Sequence, residues 1–168
     1  MTNPRVVAEP LGAHHDTAGF DSGRPALDEW LRLHALSTEA RGTGRTFVWS
    51  EGGRVLAYYT IAAHLAQRDD LPRAVGRGNP AQIPAVLLAR LALDKSLQGR
   101  GFGSALIVDA LGRIIRATNI VGARYIVVDA LDEQAASFYL RHGFTRVVPT
   151  NRLVLKVSDA EAVLRSKP

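Results

Sequence analysis

The stretch from Ala85 to Leu106 narrows what this chain can fold into more than any other. Residues Ala85 to Leu93, A-V-L-L-A-R-L-A-L, are almost continuously apolar, the pattern of a strand buried on both faces. Asp94 to Leu97 is polar and turn-like. Gln98 to Gly103 then sets glycines at 99, 101 and 103, just before an apolar-periodic run. A strand feeding a glycine-rich loop feeding a helix is an anion site. Glycines allow close backbone approach, and the first helical N–H groups are unpaired and carry partial positive charge. A diphosphate suits such a place. The dinucleotide fingerprint does not fit, because the sixth position from Gly99 is Ser104, and no Gly-Lys-Ser/Thr run supplies a Walker A loop.

The rest of the chain supplies the elements around that unit. V-V-A-E-P-L, within Arg5 to Leu11, can form a first strand. Apolar residues at Leu27, Trp30, Leu31, Ala35 and Leu36 have helical spacing behind Pro25, and Gly42-Thr43-Gly44 ends that helix. T-F-V-W-S and V-L-A-Y-Y-T-I-A-A flank the turn E-G-G-R and predict an antiparallel hairpin. Gln67 to Pro84 is a basic, Pro- and Gly-containing connection. It is long for a compact domain, and such loops are usually functional or mobile. A helix is expected over Gly103 to Thr118 and a strand over Ala123 to Ala130. Because a helix joins them, the strands at Ala85 and Ala123 should be parallel neighbours. Asp132 can cap a further helix that ends at Gly143. F-T-R-V-V and R-L-V-L-K-V read as closing strands, and Asp159 to Arg165 as a terminal helix or tail.

Composition excludes several chemistries. There is no cysteine among the 168 residues, hence no disulfide framework and no thiolate. The five histidines lack ligand spacing, so no metal site is expected. No signal-like core opens the chain and no apolar run is long enough to span a bilayer, which predicts a soluble cytoplasmic protein without a membrane partner. The net charge of +5 is carried largely by arginine. That balance favours a polyanionic partner, although a solvated basic surface reads the same way.

Gln98, Gly101 and Gly103 fit Q/R-x-x-G-x-G/A, which resembles the acetyl-CoA loop of the GNAT acyltransferase superfamily. Asp132 to Phe144, D-E-Q-A-A-S-F-Y-L-R-H-G-F, is similar to a second GNAT pattern, with Ala135, Phe138, Tyr139, Gly143 and Phe144 on it. The resemblance implies an α/β (α+β) fold: a central mixed, mostly antiparallel sheet with a splayed parallel pair, flanked by helices. It also implies one domain over residues 1–168. Asp132 departs from the family's usual Asn. A carboxylate cannot donate a hydrogen bond as Asn does, so no CoA contact is expected from that side chain.

A narrower resemblance covers about Arg5 to Leu155. F-D-S-G-R-P-A-L-D-E-W-L, R-T-F-V, I-P-A-V-L-L-A-R-L-A-L-D and the block ending at Phe144 look like the GNAT toxins of bacterial toxin–antitoxin modules. That family acetylates the amino group of aminoacyl-tRNA and blocks translation. It usually pairs with a ribbon–helix–helix antitoxin, and analogy suggests a homodimer. The Phe20 to Leu31 block carries most weight, because a generic acetyltransferase has no need of it.

The resemblance assigns roles to residues. Pantetheine would lie as a pseudo-strand along Leu91, Ala92 and Leu93, with a backbone N–H near Leu93 meeting the thioester oxygen as it gains charge. The diphosphate would rest on Gln98, Gly99, Arg100, Gly101, Gly103 and Ser104, with Arg100 adding charge or merely facing solvent. Tyr139 would be the general acid that protonates the departing thiolate, since a phenol of pKa about 10 can donate at neutral pH. Phe138 would be core or a wall beside pantetheine. Neither Glu133 nor Asp129 stands out as a base. An amine beside an ester is weakly basic, so a dedicated base is not required. Arg73, Arg77 and Arg90, with Arg41 and Arg45 beyond the first helix, are the candidates to meet tRNA, by their grouping rather than singly. Trp30 reads as core or an interface anchor. The alternative activity is acetylation of a protein N-terminus, a polyamine or another small amine. A non-catalytic CoA-binding relative is disfavoured by the complete loop and by Tyr139.

Overall fold

A computed structural model describes residues 6–166. The elements in order are β1 (Glu9–Pro10), α1 (Pro25–Leu33), α2 (Ala35–Arg41), β2 (Arg45–Glu51), β3 (Arg54–Gln67), α3 (Arg73–Gly76), β4 (Gln82–Leu93), α4 (Phe102–Thr118), β5 (Tyr125–Asp129), α5 (Glu133–Arg141), β6 (Thr145–Arg146), β7 (Arg152–Lys156) and α6 (Val157–Ser166). The strands form one sheet in the order β1-β2-β3-β4-β5-β7-β6. As the crossover rule requires, β4 and β5 are parallel, and the pairs β1–β2, β2–β3, β5–β7 and β6–β7 are antiparallel.

The chain forms two compact units, each assembled from separated segments. One holds the chain up to Ala62 together with Ala89–Ala110, and the other holds Ala63–Leu88 with the chain from Leu111 onward. In the first unit, the spacing of Leu27, Leu31 and Ala35 lays α1 and α2 on a core that includes Phe20, Val48, Val55, Tyr58 and Ala92. The expected single helix breaks at His34, whose φ of -124° leaves the helical region. The β2–β3 hairpin turns at Gly52-Gly53 as expected, and the buried hydroxyls of Thr46 and Thr60 meet across it at 2.8 Å.

In the second unit, Ala66, Leu71, Ile83, Ala85, Tyr125, Val127 and Val154 form the core. Asp132 caps α5 by accepting from the Ala135 N–H at 2.9 Å, and Gly143 follows the helix with φ of 95°. The basic connection is shorter and more structured than its composition suggests. β3 runs on to Gln67 and β4 starts at Gln82, with a 3-10 turn over Arg68–Asp70 and α3 between them. The Arg68 N–H donates to Ala81 O at 2.8 Å. Buried Asn79 donates to Val75 O and to the Tyr125 hydroxyl, both at 3.1 Å. The first strand is only Glu9–Pro10, and Arg5, where it was expected to begin, lies outside the described residues. Among the described residues no helix is long and apolar enough to cross a membrane.

Candidate functional site

The first unit builds the glycine loop from the end of β4. Asp94 is 4 % exposed and organises the turn that follows. Its carboxylate accepts from the Ser96 N–H at 3.0 Å, the Ser96 hydroxyl at 2.7 Å and the Asp21 N–H at 3.0 Å. Burial pushes its pKa up. The hydrogen bonds from Ser96 and Asp21 and the charge of Arg54 outweigh burial and hold it below the ordinary carboxylate value. Gln98 closes the loop from the other side. Its side-chain amide donates to Ser22 O at 2.8 Å and to Leu93 O at 2.9 Å, and its backbone N–H donates to Lys95 O. So the side chain that the motif singles out shapes the loop, and it does so by gripping the F-D-S-G-R-P segment.

Beyond Gln98 the chain turns at Gly99 (φ 73°) and Gly101 (φ 81°), a conformation that costs other residues about 1–2 kcal/mol. The N–H groups of Gly99, Arg100, Gly101, Phe102 and Gly103 have no partner among the described residues, whereas Ala105 already bonds back to Gly101 O. These donors open α4, and their partial charge favours an anion. Arg100 lies over the Phe102 ring at 5.3 Å and donates to Ser96 O at 3.1 Å, on the exposed side of the same loop. Leu91 and Leu93 are half-buried and Ala92 is buried at the end of β4.

Arg90 and Trp30 belong together. The guanidinium sits 4.0 Å from the Trp30 ring centroid, and Trp30 stacks on Tyr58. Burial lowers the Arg90 pKa, with Tyr58 acting the other way. Burial likewise raises that of Tyr58, whose hydroxyl donates to Leu27 O at 2.7 Å. Arg45 is engaged as well, donating at 2.9 Å to Glu39, whose other carboxylate oxygen accepts the Thr46 N–H. Arg41 is exposed at the end of α2. Glu9, His14 and His15 place ligand atoms within 4.8 Å of one another, a grouping the sequence spacing did not reveal. His15 is already satisfied there, with Nδ1 accepting from Gly12 and Nε2 on Glu9 at 2.8 Å.

The second unit holds Tyr139. It is 5 % exposed on α5, with edge-on contacts to Phe138 at 5.2 Å and Phe144 at 5.4 Å. Phe138 is half-buried and also meets the ring of His142. The parallel ladder of β4 and β5 runs only from Ala85↔Tyr125 to Leu87↔Val127. It stops before Leu88 and Val128, although both strands continue. At the end of β5 Asp129 accepts a bidentate pair from Arg152 at 2.8 and 2.9 Å, the larger of the effects that lower its pKa. Arg73 and Arg77 stand exposed at the two ends of α3, on the connection that Asn79 pins down. Arg77 also lines a groove of about 280 Å³ with Arg124, Lys156 and Asp159.

Residues 42–146 match the model of the acetyltransferase (GNAT) domain. Over 151 residues the chain is 40% identical to the tRNA-acetylating toxin of Mycobacterium tuberculosis, covering 89% of this chain and 90% of that one. AtaT complexed with acetyl-methionyl-tRNAfMet superposes with a TM-score of 0.86 at 31% identity, over 94% of this chain and 98% of that one. A tyrosine-to-phenylalanine mutant of the AtaT toxin, bound to the C-terminus of the antitoxin AtaR and to acetyl-CoA, superposes with a TM-score of 0.83. It is 29% identical, over 98% of this chain and 100% of that one.

Proposed function

The chain belongs to the GNAT acetyltransferase family, and on that footing we propose that it moves the acetyl group of acetyl-CoA onto the amino group of aminoacyl-tRNA. It would thereby inhibit translation as the toxin of a toxin–antitoxin module in the cytoplasm. The observation that carries this reading is the 40% identity to the tRNA-acetylating toxin, spread over nearly the whole of both chains. A generic amine acetyltransferase would share the glycine loop. It would not need to share the Phe20 to Leu31 block, which here anchors that loop through Ser22 and Asp21.

The roles follow from the chemistry. Five N–H groups from Gly99 to Gly103, without a partner among the described residues, suit the diphosphate of acetyl-CoA, with Ser104 and Arg100 beside them and Gln98 holding the loop in shape. The early end of the β4–β5 ladder supports a pantetheine arm running along Leu91, Ala92 and Leu93, with the Leu93 N–H taking the growing charge on the thioester oxygen. Tyr139 protonates the leaving thiolate, and Phe138 walls the arm. Arg41, Arg73 and Arg77 meet tRNA phosphates, whereas Arg45 and Arg90 contribute from positions fixed by Glu39 and Trp30. Strands β3 and β4 each run through both compact units, which supports one catalytic domain over residues 1–168. A ribbon–helix–helix antitoxin and a second copy of the chain complete the proposed assembly.

Labelled acetyl-CoA, offered with charged and uncharged tRNA pools, tests the proposal. Label should appear only on charged tRNA and be lost when the aminoacyl ester is hydrolysed. Acetyl-CoA binding without any labelled tRNA would overturn the substrate and leave the family standing, with a protein N-terminus or a small amine as the acceptor to pursue.

A further inference from the structure

His64 lies on β3, in the second unit. Its Nε2 is buried and has no hydrogen-bond partner among the described residues. Among the described residues one other side-chain nitrogen or oxygen shares that state, Arg146 Nε, and that guanidinium is anchored through Nη2 on Glu133 at 3.0 Å. A polar atom removed from water and left unpaired destabilises a fold, so a chain that keeps one gains from it elsewhere.

The charges around the ring come from three elements of the same unit: Asp70 on the 3-10 turn after β3, Asp129 at the end of β5, and Arg152 at the start of β7. Arg152 engages both oxygens of Asp129, so that pair is a fixed wall and offers His64 no free carboxylate. Burial first, and the charge of Arg152 second, hold His64 below the ordinary imidazole range. Asp129 and Asp70 act the other way and do not win. The ring is therefore neutral at pH 7, and with Nδ1 protonated its lone pair lies on the unpartnered nitrogen. The place matters too. Asp129 stands two residues past Val127, where β5 parts from β4.

We propose that His64 is the base of the acetyl transfer: its buried, unpartnered Nε2 accepts the hydrogen bond of the substrate's amino group and then its proton. This rests on the acetyltransferase reading above. In the step, the amine nitrogen attacks the thioester carbonyl and forms the C–N bond. The nitrogen becomes positively charged and gives one proton to Nε2. The C–S bond breaks, and the thiolate of CoA takes a proton from Tyr139. The two proton transfers leave an amide and free CoA; His64 then returns its proton to solvent and Tyr139 regains one from it, so the enzyme ends as it began. Arg152 is a positioning residue whose charge helps keep the ring neutral, and Asp129 holds Arg152 in place.

The test uses the full-length enzyme with acetyl-CoA and charged tRNA. His64→Gln keeps a polar side chain but cannot take the proton, so kcat should fall about 100-fold while KM and acetyl-CoA affinity stay within about twofold. The wild-type kcat should level off above its acid limb. In the Gln variant kcat should instead go on rising to pH 9, as hydroxide replaces the base. His64→Leu removes the orphaned nitrogen and should melt no lower than wild type. The proposal is overturned by a Gln variant within threefold of wild-type kcat. It is equally overturned by a weakened variant that keeps the wild-type pH plateau, or by a Leu variant that melts several degrees lower, which would make the ring a packing element. Wild-type enzyme that labels no charged tRNA would instead strike the substrate reading, and the same variants would then be assayed on the amine it does acetylate.

Discussion

Tyr139 presents two separable properties, a ring and a hydroxyl. The ring packs edge-on against Phe138 and Phe144, and Tyr139→Phe leaves those contacts in place. The variant should therefore fold and bind acetyl-CoA, with kcat down about 10²- to 10⁴-fold, the range for one proton-transfer group. Expression of the wild type should arrest growth and expression of the variant should not. A variant as toxic as its parent would remove Tyr139 from the chemistry. Asp94 is the residue to watch as pH changes. Its folded pKa is depressed, so its stabilisation is complete above the ordinary carboxylate value and is lost as pH falls through the lower folded value. Asp94→Asn replaces an acceptor for three donors with an amide that brings one oxygen and two unwanted N–H groups. The cost should be about 1–3 kcal/mol at pH 7 and should shrink in acid, measured as the gap between the two melting temperatures at pH 7 and near pH 3.

At the scale of elements, the glycine loop is the part whose geometry and chemistry are hardest to separate. Gly101→Ala places a Cβ at φ 81°, costs about 1 kcal/mol of stability and tilts the N–H groups on either side. Titration calorimetry should register acetyl-CoA affinity about tenfold weaker, equivalent to one good hydrogen bond. This loop could be read from sequence because everything it needs is local: apolar strand, turn, glycines, amphipathic helix. The Asp132 cap, Gly143 and the E-G-G-R hairpin could be read for the same reason. What could not be read depends on residues far apart in the chain. Nothing in R-L-V-L-K-V says that it inserts between β5 and β6 rather than joining the edge. Gln98 matches a motif, but its grip on Ser22 joins positions 76 residues apart. Arg90 reads in sequence as one more surface cation, and only the fold puts Trp30 beneath it. His64 lacks a signal altogether, because an absent hydrogen bond has no sequence pattern.

At the scale of the whole molecule, the net charge of +5 is the property a nucleic-acid partner would sense first. Arg73 and Arg77 are the cations to remove together, because both stand exposed on a connection that Asn79 and Tyr125 hold in place. Replacing both with Ala should weaken tRNA binding across all charged species alike. The slope of log affinity against log salt should drop by about 0.7–0.9 for each phosphate that the variant no longer neutralises. An unchanged slope would move the tRNA footprint elsewhere on the surface.

The order of strands has a consequence for how the protein comes into being. β5 is made before β6, and β6 before β7, yet β7 lies between them and pairs with both. While the chain is being made, β5 therefore has β4 but waits for its second neighbour, and β6 has none at all until Arg152–Lys156 emerges. The second unit, with Tyr139 in it, cannot close before β7 has emerged. Each molecule of an enzyme proposed to silence ribosomes would thus become competent only after its own β7 has left the ribosome.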